Sequence, residues 1–547
     1  MKTRDEVTAE KLRGGFYSPD PLVDSCLDRI ADLTRSTDEL RILEPSAGDG
    51  AFLRGLNRHP NLSRRTKWVE AIELLKGEAE KCRGEMRRLG LSGNVQAGDV
   101  ITWTNSAPGQ FDAAIGNPPF VRFQFVPPET KGSIDRLQDR IGLSFAGVSN
   151  LWLPVLMSTL TTLRIGGAFA FIVPAECFTG ISAGLLRQWL VGNSTELRFD
   201  LFPPGSFPGV LQEIVILSGR KKKTAKTASR CRIVEHHVDG SADVNVHVIP
   251  HNSGPWTRYL LSKNELGAFE EAEQLTAVSL LSDVAKFEVS AVTGANNYFS
   301  VCSETVKRFD LEPWAVPLLP RTRHATGLRY TDSDHDTVEA TGAKTHLLDF
   351  SAERPDPNKY AKARRYLSLG VEEGLPSRYK CRIRSPWYRI PFIRRGDLML
   401  SKRCHRFPRV VLNELGVVTT DTIYRGTMTH VFRGRESDLV AAFHNSLTLL
   451  SAEIEGRSFG GGVLELVPSE IARLRVPMPP DFGQELDRLD ALARSTIENG
   501  RTHELIHETD LLLAKAGIGF TPSLIDQLHA ANQKLLHRRL ARNGSSS

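Results

Sequence analysis

Asn117-Pro118-Pro119-Phe120 is the stretch of this sequence whose residue types are best suited to chemistry. The two prolines carry no N–H and have a fixed φ, so the turn is stiff, and each biases the residue before it away from helical geometry. The Asn117 side-chain oxygen and the Pro118 carbonyl can then face one small donor together. An exocyclic amino group, with two hydrogens to give, fits that pair, and Phe120 offers a flat face beside it. A second set of residues suits a nucleoside. In Glu44-Pro45-Ser46-Ala47-Gly48-Asp49-Gly50 the two glycines allow the backbone to approach a ligand closely. Glu73 suits a pair of ribose hydroxyls, and Asp99 can accept from an adenine amino group. Each has an ordinary alternative. Glu44 could cap the helix after the glycine turn, and Glu73 and Asp99 could be solvated carboxylates at loop starts.

These residues need a frame that brings them to one edge. The apolar run 111–115 reads as a buried strand ending at Asn117. Residues 41–52 read as strand, glycine turn and helix start. Residues 67–72 form a second strand ending in Glu73, and 94–97 a third leading to Asp99. A helix is expected over 22–30 with Pro21 in its first turn, and further helices over 150–163 and 182–191. Such alternation is the signature of an α/β, doubly wound parallel sheet. Residues 199–217 would close it with an antiparallel pair, and the polar stretch 124–146 reads as a loop or lid.

The length of 547 residues suggests two or three domains. Residues 1–220 form the first. The basic run Lys221-Lys222-Lys223 opens a linker over 221–230. Residues 231–480 form a mixed α+β region, and 481–547 a helical extension in which Thr521 caps a helix that has Pro522 at its first position. A net charge of +6 is compatible with a polyanionic partner without requiring one. The second region interleaves cations with aromatics: Arg378, Lys380, Arg382, Arg384, Trp387 and Tyr388, then Lys402 and Arg403. Alternation over 378–384 would place several cations on one strand face, suited to phosphates; the alternative is a solvated edge strand. Seven cysteines without short paired spacing argue for reduced thiols and against a disulfide frame or a metal site. No signal-peptide core or membrane-length apolar run is present, and a cytoplasmic protein is expected.

The succession of glycine turn, Glu73, Asp99 and Asn-Pro-Pro-Phe resembles the S-adenosylmethionine-dependent amino-methyltransferases that act on DNA. It is most similar to the gamma class of adenine-N6 enzymes, the TaqI-like group of restriction–modification type. Gly15-Phe16-Tyr17-Ser18-Pro19 looks like the motif that precedes the glycine loop in that class, and its Ser or Thr contacts the cofactor. The stretch around Ser206-Phe207-Pro208 looks like the hairpin that carries a base-stacking aromatic. The stretches beginning at Arg378, Asp421 and Gly460 resemble segments of the group's target-recognition region. The resemblance implies a Rossmann-like catalytic domain over 1–220 and a DNA target-recognition domain over 231–480. It implies methyl transfer to N6 of a flipped-out adenine in double-stranded DNA. Asn117, Pro118, Pro119 and Phe120 would be catalytic. Tyr17, Ser18, Glu44, Pro45, Ser46, Ala47, Gly48, Gly50, Glu73, Asp99, Asn117 and Pro119 would hold the cofactor. Phe120 and Phe207 would stack on the base, and Arg378, Lys380, Arg382, Arg384, Trp387, Tyr388, Lys402 and Arg403 would meet DNA. A cognate restriction endonuclease would be a separate chain. Cytosine-N4 methylation, or methylation of RNA or a protein glutamine in the same cup, stays open as an alternative.

Overall fold

Short runs of almost wholly apolar residues bounded by glycine and proline form strands that are buried on both faces, as in parallel sheets with helices on either side. The computed structural model describes residues 18–541 apart from 107–109, 122, 124–125, 127, 146–149, 181–182, 204, 207–213, 226–227, 252–253, 460 and 498. Tyr17 and Phe207 therefore lie outside the described residues. Two compact units are formed, Met1–Lys263 and Asn264–Ala541.

The first unit is built on nine strands: β1 (Leu40–Glu44), β2 (Thr66–Glu73), β3 (Gly93–Ala97), β4 (Phe111–Gly116), β5 (Leu163–Pro174), β6 (Ser194–Leu201), β7 (Ile214–Lys221), β8 (Ser229–His236) and β9 (Ala242–Ile249). Their order across the sheet is β3-β2-β1-β4-β5-β7-β6-β8-β9. Neighbours among β1 to β5 are parallel. β7 is antiparallel to both β5 and β6, which is the expected antiparallel pair, but the pair does not close the sheet, since β8 and β9 lie beyond β6. Every residue of β4 is buried. Helix Asp20–Leu33 has a proline in its first turn and packs Leu22, Val23, Cys26, Leu27 and Ile30 into the core, a stripe at helical spacing.

Two expectations for this unit are corrected. Residues 221–230 are not an interdomain linker. Lys221 ends β7, and its ammonium donates to the carbonyls of Thr161 (2.7 Å) and Leu163 (2.6 Å). Burial lowers its pKa to about 8. β8 then pairs in parallel with β6, and β9 pairs antiparallel with β8, so the first unit runs on to Lys263 rather than ending near 220. The stretch read as a loop or lid contains helix Pro128–Ile141, which buries Thr130, Ser133, Ile134 and Leu137. The Ser133 hydroxyl meets that of Thr102 at 2.7 Å.

The second unit holds a five-stranded sheet in the order Ala285–Val289, Ile423–Met428, Leu398–Ser401, Val410–Asn413, Arg329–Tyr330. A small antiparallel sheet, Ser300–Val301, His346–Leu348 and Ala315–Pro317, packs around Phe299, Trp314 and Phe350. The C-terminal helices Leu486–Ile497, Thr502–Lys515 and Pro522–Ala541 belong to this unit and are not a separate extension. The Asp490 carboxylate accepts the N–H groups of Leu328 (2.6 Å) and Arg329 (3.0 Å). Arg539 is buried in an ion pair with Glu453 at 2.6 Å. Thr521 caps the last helix as expected, its hydroxyl accepting from Leu524 N–H at 3.2 Å. The expected strand over 378–384 is instead a single helical turn, Tyr379–Arg382, with Cys381 as its buried residue. A turn with one inward side chain cannot alternate faces as a strand does.

Candidate active site at the carboxyl edge of the sheet

The chain changes direction across the sheet between β1 and β4. β1 leads outward through β2 to β3, while β4 leads the other way to β5. Loops leaving two such strands diverge and leave a crevice at their carboxyl ends, where ligands of open α/β sheets bind. The two loops here are the glycine turn after Glu44 and the tetrapeptide after Gly116. Ser46 Oγ donates to the Asn117 carbonyl at 2.9 Å and ties them together. Gly50 stands before helix Ala51–Arg58 at φ 89°, where a side chain would be strained. At Gly116 a Cβ would lie 3.2 Å from Pro45 Cδ, so the close approach of the two loops needs glycine.

Glu73 braces three segments. Its carboxylate accepts the N–H groups of Gly48 and Leu75, both at 2.9 Å, and its carbonyl accepts that of Gly98 at 2.9 Å. Each carboxylate oxygen keeps capacity for a second donor. Asp99 caps helix Val100–Thr104, accepting from Ile101 N–H (3.0 Å) and the Thr102 hydroxyl (2.8 Å).

Glu44 is the electrostatic centre of the crevice. It is 1% exposed, and neither carboxylate oxygen has a hydrogen-bond partner. Burial first, then the charges of Asp49 and Glu73, push its carboxyl well above the usual carboxylate range, with Arg54 opposing. Arg54 is already engaged, by Asp49 at 2.9 Å and Glu85 at 3.3 Å. Glu44 makes no cap; Gly50 occupies that position. A buried carboxyl without a partner is costly unless a cation or donor joins it. Three carboxylates around a glycine turn with one bound guanidinium therefore suit a cationic ligand.

Asn117 donates from Nδ2 to Ser18 Oγ at 3.2 Å. Because the amide is planar, this turns its carbonyl oxygen away from Ser18. Pro118 is buried, while Pro119 and Phe120 are half-buried. Phe120 packs on the apolar layer that contains Leu22, Ile42 and Ile115. The structure thus gathers Ser18, Glu44, Ser46, Gly48, Gly50, Glu73 and Asn117 at one crevice. Sequence reasoning did not single out Arg54. It also missed a cluster further along the edge, where Phe202 stacks on His236 (4.9 Å between centroids, 9° between planes). His236 Nε2 lies 2.8 Å from the buried Asp200, which Arg198 also grips at 2.6 Å. Only the β6–β8 pairing brings those residues together, and no local pattern signals it.

In the second unit the candidate DNA-facing residues divide into two groups. Arg378, Lys380 and Arg382 are exposed. Arg384 is half-buried and donates to the carbonyls of Val292 (2.6 Å) and Thr293 (2.8 Å). Trp387 packs among Tyr298, Phe299 and Tyr388, and the Tyr388 hydroxyl accepts from Asn358 at 2.9 Å. Lys402 and Arg403 both pair with Glu465, at 3.4 and 3.1 Å. Among the described residues no group of three or more His, Cys, Asp or Glu could hold a metal ion, and no helix is long and apolar enough to cross a membrane.

An α/β sheet with a glycine turn and an Asn-Pro-Pro-Phe exit facing each other across its switch point has the form of a methyltransferase. Comparison with known proteins agrees. The family model described as Eco57I restriction-modification methylase matches residues 63–201, and that of the C-terminal domain of the type II methyltransferase M.Eco57I matches 253–513. The type II methyltransferase M.AccI of Acinetobacter calcoaceticus is 20% identical over 91% of this chain and 92% of its own length. M.PaeR7I of Pseudomonas aeruginosa is 24% identical over 87% and 88%. The chain belongs to the methyltransferases of type II restriction–modification systems. Its fold is similar to that of the type IIL restriction-modification enzyme MmeI, solved in complex with DNA (TM-score 0.51, 12% identity, covering 100% of this chain and 78% of that one).

Proposed function

We propose that this protein is a gamma-class DNA methyltransferase that transfers the methyl group of S-adenosylmethionine to N6 of an adenine flipped out of double-stranded DNA. The observation that carries the reading is the juxtaposition of Asn117, its amide turned by Ser18, with the partnerless buried carboxyl of Glu44 across one crevice. The residues present fit the cofactor. Glu44 would take the methionine ammonium, Glu73 the ribose hydroxyls, and the turn from Pro45 to Gly50 the close approach. When bound, S-adenosylmethionine supplies an electrophilic methyl on a sulfonium.

The chain's own residues do the rest. Adenine N6 is a poor nucleophile because its lone pair is delocalised into the ring. Accepting both amino hydrogens, at the Asn117 side-chain oxygen and the Pro118 carbonyl, favours a pyramidal nitrogen with a localised pair. Catalysis is then largely positioning, with no Cys or His nucleophile. Phe120 stacks on the extruded base, and Phe207 is proposed for its other face. Stacking returns ~1–3 kcal/mol of the unstacking cost. M.AccI and M.PaeR7I carry the name methyltransferase and MmeI was solved on DNA, which supports the reading.

The test is to incubate the purified protein with methyl-labelled S-adenosylmethionine and unmethylated genomic DNA, then digest to nucleosides. Labelled N6-methyladenine is expected, and its absence from the Asn117→Ala reaction. Label in N4-methylcytosine, or only in added RNA or protein, would replace the adenine assignment.

A further inference from the structure

Between Glu373 and Asp397 the chain carries seven arginines and lysines and no acidic side chain. The same segment exposes three large apolar side chains: Tyr379 (64%), Ile383 (62%) and Phe392 (66%). Single exposed hydrophobics are ordinary, but a concentration of this kind marks an interaction site. The exposure is not that of a fraying loop, because the backbone is anchored on both sides of the apolar residues. Cys381 is buried beneath the turn, Arg384 grips the carbonyls of Val292 and Thr293, and Ile393 bridges to Ala291. Tyr379 and Ile383 stand four residues apart across the turn Tyr379–Arg382, so they are neighbours on its surface. Cations lie against the exposed rings: the Lys380 ammonium is 5.6 Å from the Tyr379 centroid and the Arg394 guanidinium 5.1 Å from that of Phe392.

Apolar side chains framed by cations, in a segment without an acidic residue, fit a polyanion whose interior is an apolar stack. We infer that Tyr379 and Ile383 form a wedge that enters duplex DNA between base pairs, unstacking and bending it, while Arg378, Lys380 and Arg382 hold the flanking phosphates. Proteins that kink DNA combine such apolar wedges with basic contacts. The inference rests on the DNA reading above, and it assigns this turn a role in deforming the duplex rather than in reading base edges.

The test uses the full chain and a 30-base-pair duplex, with donor and acceptor dyes at its ends. The duplex carries the site mapped by sequencing methylated DNA from cells that express the protein. Tyr379→Ala/Ile383→Ala should lower affinity on the order of 10- to 100-fold. It should abolish the change in energy transfer that reports the bend and leave the salt dependence of binding unchanged. Arg382→Ala should keep the bend and lower the salt slope by about 1. Both variants should unfold at the parent's temperature, since the side chains are exposed. Parent-like binding and bending by the double variant would overturn the wedge. So would loss of self-association with DNA binding intact, which would make the patch a protein contact. A parent that binds no DNA would instead defeat the substrate reading itself, and the two failures are told apart by the parent alone.

Discussion

Replacing Glu44 by Gln tests the proposal that this carboxyl holds the cofactor. The carboxyl is buried, has no hydrogen bond, and is raised well above its usual range by burial and by the charges of Asp49 and Glu73. In the ligand-free protein it therefore holds its proton at pH values where an exposed carboxylate has lost it. Gln has nearly the shape of the protonated acid, so the variant should fold with little penalty. The sign of the linkage follows from the raised pKa. The folded protein binds a proton that the unfolded chain has released, so stability falls as pH rises from the ordinary carboxylate range to the raised pKa. Glu44→Gln removes that slope. Binding the cofactor's ammonium requires the carboxylate, so the parent should release a proton and bind more tightly as pH rises through the same window. The amide cannot form the charged pair. Loss of one charge-assisted contact of this kind is ~1.5–3 kcal/mol, which is about 10- to 150-fold in Kd. Calorimetric titration with S-adenosylmethionine, in buffers of different ionisation enthalpy, reads both effects. The parent's heat should depend on the buffer, and the variant's should not through this site. Equal affinity in parent and variant across the pH range would refute the assignment of Glu44 to the cofactor.

Asn117→Ala should reduce single-turnover methyl transfer by orders of magnitude with cofactor affinity within a few-fold of the parent, since the contact strengthens as N6 becomes pyramidal; a near-normal rate would reject the cup. Arg384→Ala should lower thermal stability, because its guanidinium holds the Val292 and Thr293 carbonyls, whereas Arg378→Ala should leave stability unchanged and weaken DNA binding in a salt-dependent way. Arg539→Ala should destabilise the second unit by ~3–5 kcal/mol, as a broken buried ion pair does, because it strands Glu453; denaturant unfolding of the Arg539→Ala chain checks this, and a loss below 1 kcal/mol would count against it. Asp510, buried and accepting from Ser446 N–H and Oγ, has its pKa raised to about 7, chiefly by burial. The contribution of Asp510 to stability should fall as pH rises from the carboxylate range to about 7, and Asp510→Asn should flatten that part of the melting-temperature profile.

The strand-end residues were legible because each is a polar side chain at the end of a short strand-like run, with glycine or proline next to Glu44, Asp99 and Asn117. What escaped was non-local or disguised. Helix Pro128–Ile141 has buried positions at 130, 133, 134 and 137, which is helical spacing, but two of the four are Thr and Ser and so did not register as an apolar stripe. The basic run at 221–223 has the composition of a linker, yet Lys221 donates to the carbonyls of Thr161, at the end of helix Trp152–Thr161, and of Leu163, at the start of β5, and the chain then pairs with β6. Parallel pairing across a connection leaves no mark in either strand taken alone. Residues 378–384 alternate like a strand, but the burial of Cys381 and the grip of Arg384 on another segment make them a turn.

The same division runs through the candidate active site. The residue types that could hold an amino group and a nucleoside are written in the chain, but their mutual orientation is not. Ser46 and Ser18 reach Asn117 across 71 and 99 residues of sequence. One bond draws the glycine turn against the tetrapeptide, and the other settles which way the Asn117 amide faces. A serine before a helix and a serine in a glycine loop are ordinary by composition. They become specific only because β1 and β4 lie side by side where the sheet changes direction. The partnerless state of Glu44 has the same origin, since it depends on Arg54 being drawn to Asp49 and Glu85 instead. Chemistry here is chosen by local sequence and aimed by topology. Substitutions that preserve residue type while disturbing the β1–β4 junction, such as Gly116→Ala against Pro45, should therefore impair the site as surely as changing Asn117 itself.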